Sequence, residues 1–305
     1  MEIVVPRIDI TGPELLNHQR WVNKYLEDMN RRLPPGGTFM VQVDTAAGPK
    51  ERILARWPRP LNTLIYTVDY LTHRVWPKLP GLRGLYFAMT KGRDRVMSEM
   101  EVIGRLYACG FRLLETGHAG DGRVSMLVEK TGEPAFDPHA TYGPLIRLRR
   151  VGKGGKMITV YKFRTMSPYS EYIQAYIHER NGYDGEGGYV DDTRITTAGA
   201  FMRRYWLDEL PMVWNLIKGD LKLFGVRPVS RPYFNMFPPA FQEYRKQFLP
   251  GLIPPIVVDR PDTFEDIWLS EKKYLDAYAK APLRTDLRYC WKAIWNIVVR
   301  RVRSS

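Results

Sequence analysis

Apolar residues recur at helical spacing from Gly12 to the Pro34-Pro35-Gly36-Gly37 break, then alternate with a period of two from Phe39 to Val43. This predicts an amphipathic helix, a sharp break and a strand. Helical spacing returns at Ser98–Tyr107, with Met100, Ile103 and Leu106 on one face and Gly110 as its stop. Phe111–Glu115 and Val124–Glu129 then read as a hairpin around the Gly-rich turn at 117–122. Arg150–Met166 reads as two strands joined by a Gly-rich basic turn, with Lys162 and Arg164 projecting from the second. Ser170–Arg180 has the pattern of a short helix, and a Gly-rich loop bearing Tyr183 and Tyr189 follows it. Thr196 or Thr197 can cap another short helix that places Arg203 and Arg204 near its C-terminal end. Asp208 then stands where an N-cap is expected, with Pro211 in the first turn. Leu210, Val213, Trp214 and Ile217 share one face of that helix, which stops at Gly219. A last helix from Asp286 sets Trp291, Ile294, Trp295, Val298 and Val302 to one side, with Lys292, Arg300, Arg301 and Arg303 among them.

Composition bounds the reading. With 305 residues, 44% of them hydrophobic, the chain can bury two cores, here assigned to residues 1–135 and 136–305. No run of about 18 apolar residues is present, and the N-terminus lacks the basic-then-apolar pattern of a signal peptide. A formal charge of +13 favours anionic partners such as phosphates or an anionic leaflet. No zinc pattern, RNA-binding aromatic motif or basic repeat accompanies it, so no nucleic-acid partner is expected. Cys109 and Cys290 are far apart in apolar contexts and read as thiols rather than a disulfide. The five histidines show no metal-ligand spacing.

Asp208-Glu209 carries the chemistry. Taken alone, Asp followed by Glu is a common helix start. Its surroundings change that reading. Lys162, Arg164, Arg203 and Arg204 lie upstream, and Arg227 sits in a rigid turn before Pro228. Several cations converging on one acidic pair are costly to pack unless an anion binds there. A carboxylate held by a helix dipole and arginines is expected to stay ionised, suited to receive a phosphate.

The segments YGPLIRLRRVGKGGKMITVYKFRTM, DTRITTAGAFMRRYWLDELPMVWNLIKGDLKLFGVRP and LPGLIPP, in that order, resemble the bacterial sugar transferases. These are monotopic polyprenyl-phosphate phosphoglycosyl transferases that start surface polysaccharide assembly, as of exopolysaccharide, lipopolysaccharide or capsule. The resemblance runs from Tyr142 to the C-terminus. It implies that Asp208 attacks the β-phosphate of a UDP-sugar, that UMP leaves, and that undecaprenyl phosphate takes the sugar phosphate. It further implies Glu209 beside a Mg²⁺ site shared with Asp208, and Lys162, Arg164, Arg194, Arg203, Arg204 and Arg227 on phosphate oxygens. Tyr183 and Tyr189 are candidate loop contacts for uracil.

Two departures accompany the resemblance. Val226 replaces the first proline of the family's Gly-Pro-Arg-Pro turn. Ahead of Tyr142, where the family has a long apolar segment that dips into the membrane, this chain has the polar VEKTGEPAFDPHATYGP. The fold class expected is α/β: an N-terminal partial Rossmann-like domain and a C-terminal α+β phosphoglycosyl transferase lobe without the usual re-entrant helix. The N-terminal order of helix, LPPGG, strand, helix, GFRLLE strand and closing strand resembles the C-terminal half of a class I methyltransferase-like fold. That points to docking, with a protein partner or a second copy, rather than cofactor-dependent methyl transfer. The C-terminal helix suits an anionic membrane surface, and GLIPPIVVDRP is the next candidate for it. The expected setting is the bacterial cytoplasm, on the inner face of the membrane. The alternative is a non-catalytic membrane-associated scaffold or partner subunit of a glycan-assembly complex.

Overall fold

A computed structural model of the chain describes residues 9–12, 15–79, 81–93, 95–120, 122–137, 142–181, 191–299 and 302. Helices and sheets both contribute to an α/β fold. Among the described residues no helix is long and apolar enough to cross a membrane. Tyr183, Tyr189, Arg300, Arg301 and Arg303 lie outside the described residues. The chain divides into two compact units, Met1–Pro144 with Ser167–Glu179, and Leu145–Met166 with Arg180–Ser305.

The first unit is built on a four-stranded sheet of β1 (Ile10–Thr11), β2 (Thr38–Asp44), β3 (Phe111–His118) and β4 (Arg123–Lys130), in the order β1-β2-β4-β3. β1 is parallel to β2, and β4 is antiparallel to both of its neighbours. Register sets Phe39 opposite Val128, Val41 opposite Met126 and Val43 opposite Val124, so one face of the pair is entirely apolar and buried. Helix α1 (Val22–Arg32) contributes Val22, Leu26 and Met29 to the unit's core. Lys130, at the end of β4, donates from Nζ to the carbonyls of Asn30 at 2.9 Å and Leu33 at 3.2 Å, closing the C-terminal end of α1. Three helices follow β2: α2 (Ala47–Arg56), α3 (Leu61–Tyr70) and α4 (Leu82–Thr90).

Helix α5 (Glu99–Ala108) is capped by Ser98, whose side chain accepts from the Glu101 N–H at 3.2 Å. Glu101 and Arg105 pair inside the unit at 2.7 Å. Burial pushes the Glu101 carboxyl up, but Lys78 and Arg105 together outweigh it and hold it at about 2. Arg105 also donates to Tyr169 Oη at 3.3 Å and lies 4.3 Å from that ring's centroid. Tyr169 stacks on Tyr142 at 4.0 Å. A 3-10 turn (Ser170–Ile173) then runs into α6 (Gln174–Asn181), burying Ile173 and Ile177.

The second unit begins with an antiparallel ribbon, β5 (Leu145–Val151) and β6 (Met157–Phe163). Gly154 and Gly155, at φ of 69° and 74°, turn the chain between them, as the Gly-rich basic turn predicts. Helix α7 (Thr197–Arg204) is capped by Thr196, and a 3-10 turn (Leu207–Met212) leads into α8 (Val213–Ile217). A parallel pair, β7 (Lys222–Phe224) and β8 (Gly251–Ile253), lies in a helical frame of α9 (Arg231–Asn235), α10 (Pro239–Lys246), α11 (Ile256–Asp259), α12 (Phe264–Lys280) and α13 (Pro282–Val298). Phe224, Phe234, Phe237, Phe241, Tyr274 and Tyr289 form its aromatic core. Val160, Met212 and Leu221 form a smaller one between β6 and the 3-10 turn.

Two local expectations change. Asp208 is not an N-cap: Trp206 takes that place in the left-handed region at φ 58°, and Asp208 and Glu209 fall in the first turn of the 3-10 segment. The GLIPPIVVDRP segment is not a surface loop, because it supplies β8 and α11 and buries Val257 in the aromatic core. Val302, from the apolar side of the last helical segment, packs against that core, and its carbonyl accepts the Trp206 indole N–H at 2.8 Å. Both cysteines are free thiols, and burial pushes Cys109 up to about 12.

Candidate active site

The chain turns sharply at Trp206 and drives both following carboxylates inward. Asp208 is 3% exposed and Glu209 7%. A left-handed tryptophan costs on the order of 1 kcal/mol. The indole bond to Val302 and packing against the aromatic core hold it there.

β6 supplies the first cation. Lys162 donates from Nζ to Glu209 Oε1 at 2.6 Å. Asn215, fully buried on α8, locks the carboxylate turn onto this strand. Its amide donates to the Thr159 carbonyl at 2.7 Å, and its Oδ1 accepts the Tyr161 N–H at 3.2 Å. Thr165, just beyond β6, ties in α7. Its carbonyl accepts the Thr196 N–H at 2.9 Å, and its hydroxyl accepts Arg203 Nε at 3.0 Å. Gly199 lies so close that an added Cβ would sit 1.9 Å from the Thr165 carbonyl oxygen, so only glycine lets α7 approach.

Arg227 enters from the turn after β7. Its N–H donates to Glu271 Oε1 at 3.0 Å, and its carbonyl accepts from Arg245. Arg245 and Glu271 are themselves a buried pair, with Arg245 Nε 2.8 Å from Glu271 Oε2. This pair grips the backbone on both sides of Arg227.

Electrostatics joins these groups. Burial lowers the Arg203 pKa; Asp208 and Asp192 raise it in opposition, while Arg194 and Arg227 add to the lowering. Burial raises the Glu209 carboxyl, against the charge and hydrogen bond of Lys162 and the charge of Arg227. Burial and Arg227 together lower Arg150. Four cations (Lys162, Arg194, Arg203 and Arg227) thus meet three carboxylates (Asp192, Asp208 and Glu209), with Arg150 near Arg227 adding to the surplus of positive charge. An excess of fixed cations around a buried carboxylate pair suits an incoming phosphate.

Arg194 forms a bidentate pair with Asp192, at 2.8 and 2.6 Å, and so anchors the approach to α7 as well as adding charge. Arg164 is half-buried immediately after β6. Arg204 is exposed, its guanidinium 5.8 Å from the Tyr205 ring centroid. Asn215, Thr165, Asp192 and the Arg245–Glu271 pair escape the sequence reading. Asn215 had the only local signal, a lone amide in the apolar run Val213–Ile217.

Glu209 Oε2 is buried and accepts no hydrogen bond among the described residues. A buried carboxylate oxygen in that condition fits a cation as ligand. Among the described residues no group of three or more His, Cys, Asp or Glu donors is assembled. A magnesium ion held by Glu209 and Asp208 would therefore draw its remaining ligands from water and substrate phosphate, as that ion commonly does.

A family model described as bacterial sugar transferase matches residues 139–300. Over 112 residues the chain is 37% identical to the galactosyl transferase CpsE of Streptococcus agalactiae, covering 36% of this chain and 25% of that protein. It is 37% identical over 113 residues to a UDP-N-acetylgalactosamine-undecaprenyl-phosphate N-acetylgalactosaminephosphotransferase of Aeromonas hydrophila, covering 36% and 24%. It is 33% identical over 113 residues to a UDP-glucose:undecaprenyl-phosphate glucose-1-phosphate transferase of Xanthomonas campestris, covering 36% and 22%. The chain thus spans about a quarter of the length of these relatives. With the matched family segment running through the carboxylate turn and every cation around it, the chain belongs to the bacterial sugar transferase family.

Proposed function

We propose that this chain transfers a sugar phosphate from a UDP-sugar to a polyprenyl phosphate through an intermediate on Asp208. The observation that carries the reading is the buried Asp208-Glu209 pair inside a surplus of cations. In the first step an Asp208 carboxylate oxygen bonds to the β-phosphorus. The bond from that phosphorus to the bridging oxygen breaks, and UMP departs with the electron pair. In the second, an oxygen of the polyprenyl phosphate bonds to the same phosphorus, and Asp208 leaves as carboxylate. Each step exchanges one P–O bond for another, so no further reactant is needed.

In this reading Arg203 and Arg227 offset charge on the phosphoryl oxygens, and Lys162 holds Glu209 in place. A magnesium ion on Glu209 and Asp208 would neutralise the diphosphate. The relatives named for undecaprenyl-phosphate transferases support this substrate class. An acceptor of that kind requires contact with a bilayer. On α13, Leu287, Trp291 and Val298 are exposed beside Arg284, Arg288 and Lys292, the arrangement of an interfacial helix.

Intact-protein mass after incubation with magnesium and a panel of UDP-sugars tests the proposal. Wild type should gain the mass of one sugar phosphate, and Asp208→Asn should gain none and lose roughly 10³-fold or more in UMP release. An equal adduct on Asp208→Asn would refute the nucleophile. Absence of both adduct and UMP release, with polyprenyl phosphate and membranes supplied, would favour a scaffold that retained the fold.

A further inference from the structure

Helices α3 and α4 of the first unit each expose an apolar stripe. Leu61, Leu64, Val68 and Leu71 recur at helical spacing along and just past α3, and Leu82, Leu85 and Met89 do so along α4. In a helix covering a core such stripes face inward. Here both stripes are exposed, Leu64 at 62% and Met89 at 69%. Trp57, also exposed, stands between α2 and α3 with the Arg56 guanidinium 5.9 Å from its ring centroid.

Charge indicates the occupant. Residues 47–93 carry nine lysines and arginines against two acidic residues, a surplus of seven where the whole chain has a net +13. Arg56, Arg59, Arg83 and Lys91 are exposed around the apolar stripes. Aliphatic side chains flanked by arginines and an interfacial tryptophan match the boundary between acyl chains and anionic headgroups. A second copy fits poorly, because a two-fold contact would set the same basic surplus against itself.

We propose that α3 and α4 form a lipid-docking face that lays the first unit on an anionic bilayer. The face lies outside the residues matched by the family model and is independent of turnover at Asp208.

Flotation of the full chain with phosphatidylcholine vesicles, with and without phosphatidylglycerol, tests it. Three variants are compared with wild type: Leu64→Ser/Val68→Ser/Met89→Ser, Arg56→Glu/Arg59→Glu, and Leu287→Ser/Trp291→Ser on α13. The apolar triple variant should bind anionic vesicles roughly tenfold more weakly or worse, with near-ultraviolet dichroism unchanged. The charge variant should show a weaker preference for phosphatidylglycerol than wild type and a smaller salt sensitivity. Full vesicle binding by both of these variants, with loss only in the α13 variant, would overturn the proposal. So would a wild type that ignores vesicles and instead sediments as a dimer broken by the apolar substitutions.

Discussion

Asp208 and Glu209 are neighbours with different burdens. Glu209 has one oxygen on Lys162 and one that is buried without a hydrogen bond among the described residues, and its burial makes the ionised form costly. Its carboxyl titrates above the usual range in the folded state, so the fold favours its protonated form. That contribution is complete below the ordinary carboxylate range and is lost as pH rises through the raised value. Where pH exceeds the raised value, the charged Glu209 therefore destabilises the fold. Glu209→Gln should raise the thermal midpoint at neutral pH, with the gain shrinking as pH falls toward the ordinary range, while UMP release drops by about 10² or more. A lower midpoint at neutral pH would show that the Lys162 pair outweighs burial. The carboxylate pair and its nearness to Lys162, Arg203 and Arg227 were legible because such residue types converge for few reasons. Asn215 was not, since a buried amide bonding across to β6 looks in sequence like any polar residue on a short helix.

Element ends were legible where a side chain caps them, as Ser98 does for α5 and Thr196 for α7. The 3-10 turn was not. Its N-cap tryptophan in the left-handed region reverses the usual preference, and packing against the aromatic core maintains it. Pairing between elements was equally hidden. Arg245 on α10 and Glu271 on α12 are 26 residues apart, yet between them they hold the turn that presents Arg227. Arg245→Met should cost about 3–5 kcal/mol in urea unfolding, because it strands a buried Glu271. The double variant Arg245→Met/Glu271→Met should recover much of that loss and still bind UDP-sugar weakly, since both backbone bonds to Arg227 are gone. Additive losses in the double-variant cycle would show that the two side chains do not act as a pair.

At the scale of the molecule, the segment Ser167–Glu179 falls within the family-matched residues but belongs to the first compact unit. Tyr169 fits against Gly104, where a Cβ would lie 2.6 Å from the Tyr169 carbonyl oxygen. It also meets Arg105, while Ile173 and Ile177 are fully buried. At roughly 1.5–3 kcal/mol per buried side chain, these three contribute about 5 kcal/mol or more, comparable to the stability of a small domain. A fragment of residues 1–144 should therefore unfold at much lower urea than the same unit within the full chain and regain stability when a peptide of residues 167–179 is added. Unchanged urea midpoints would refute the role of the segment. The sequence by itself determined the α/β class, the capped helices, the hairpins, the carboxylate pair and its company of cations, because periodicity, caps and charge are local properties. Tertiary structure alone decided that Glu209 is buried beside Lys162, that Asn215 and Arg245–Glu271 hold the site, and that Ser167–Glu179 completes the first unit. It also decided that the apolar stripes of α3 and α4 face outward, since burial depends on which elements meet and no local pattern encodes that.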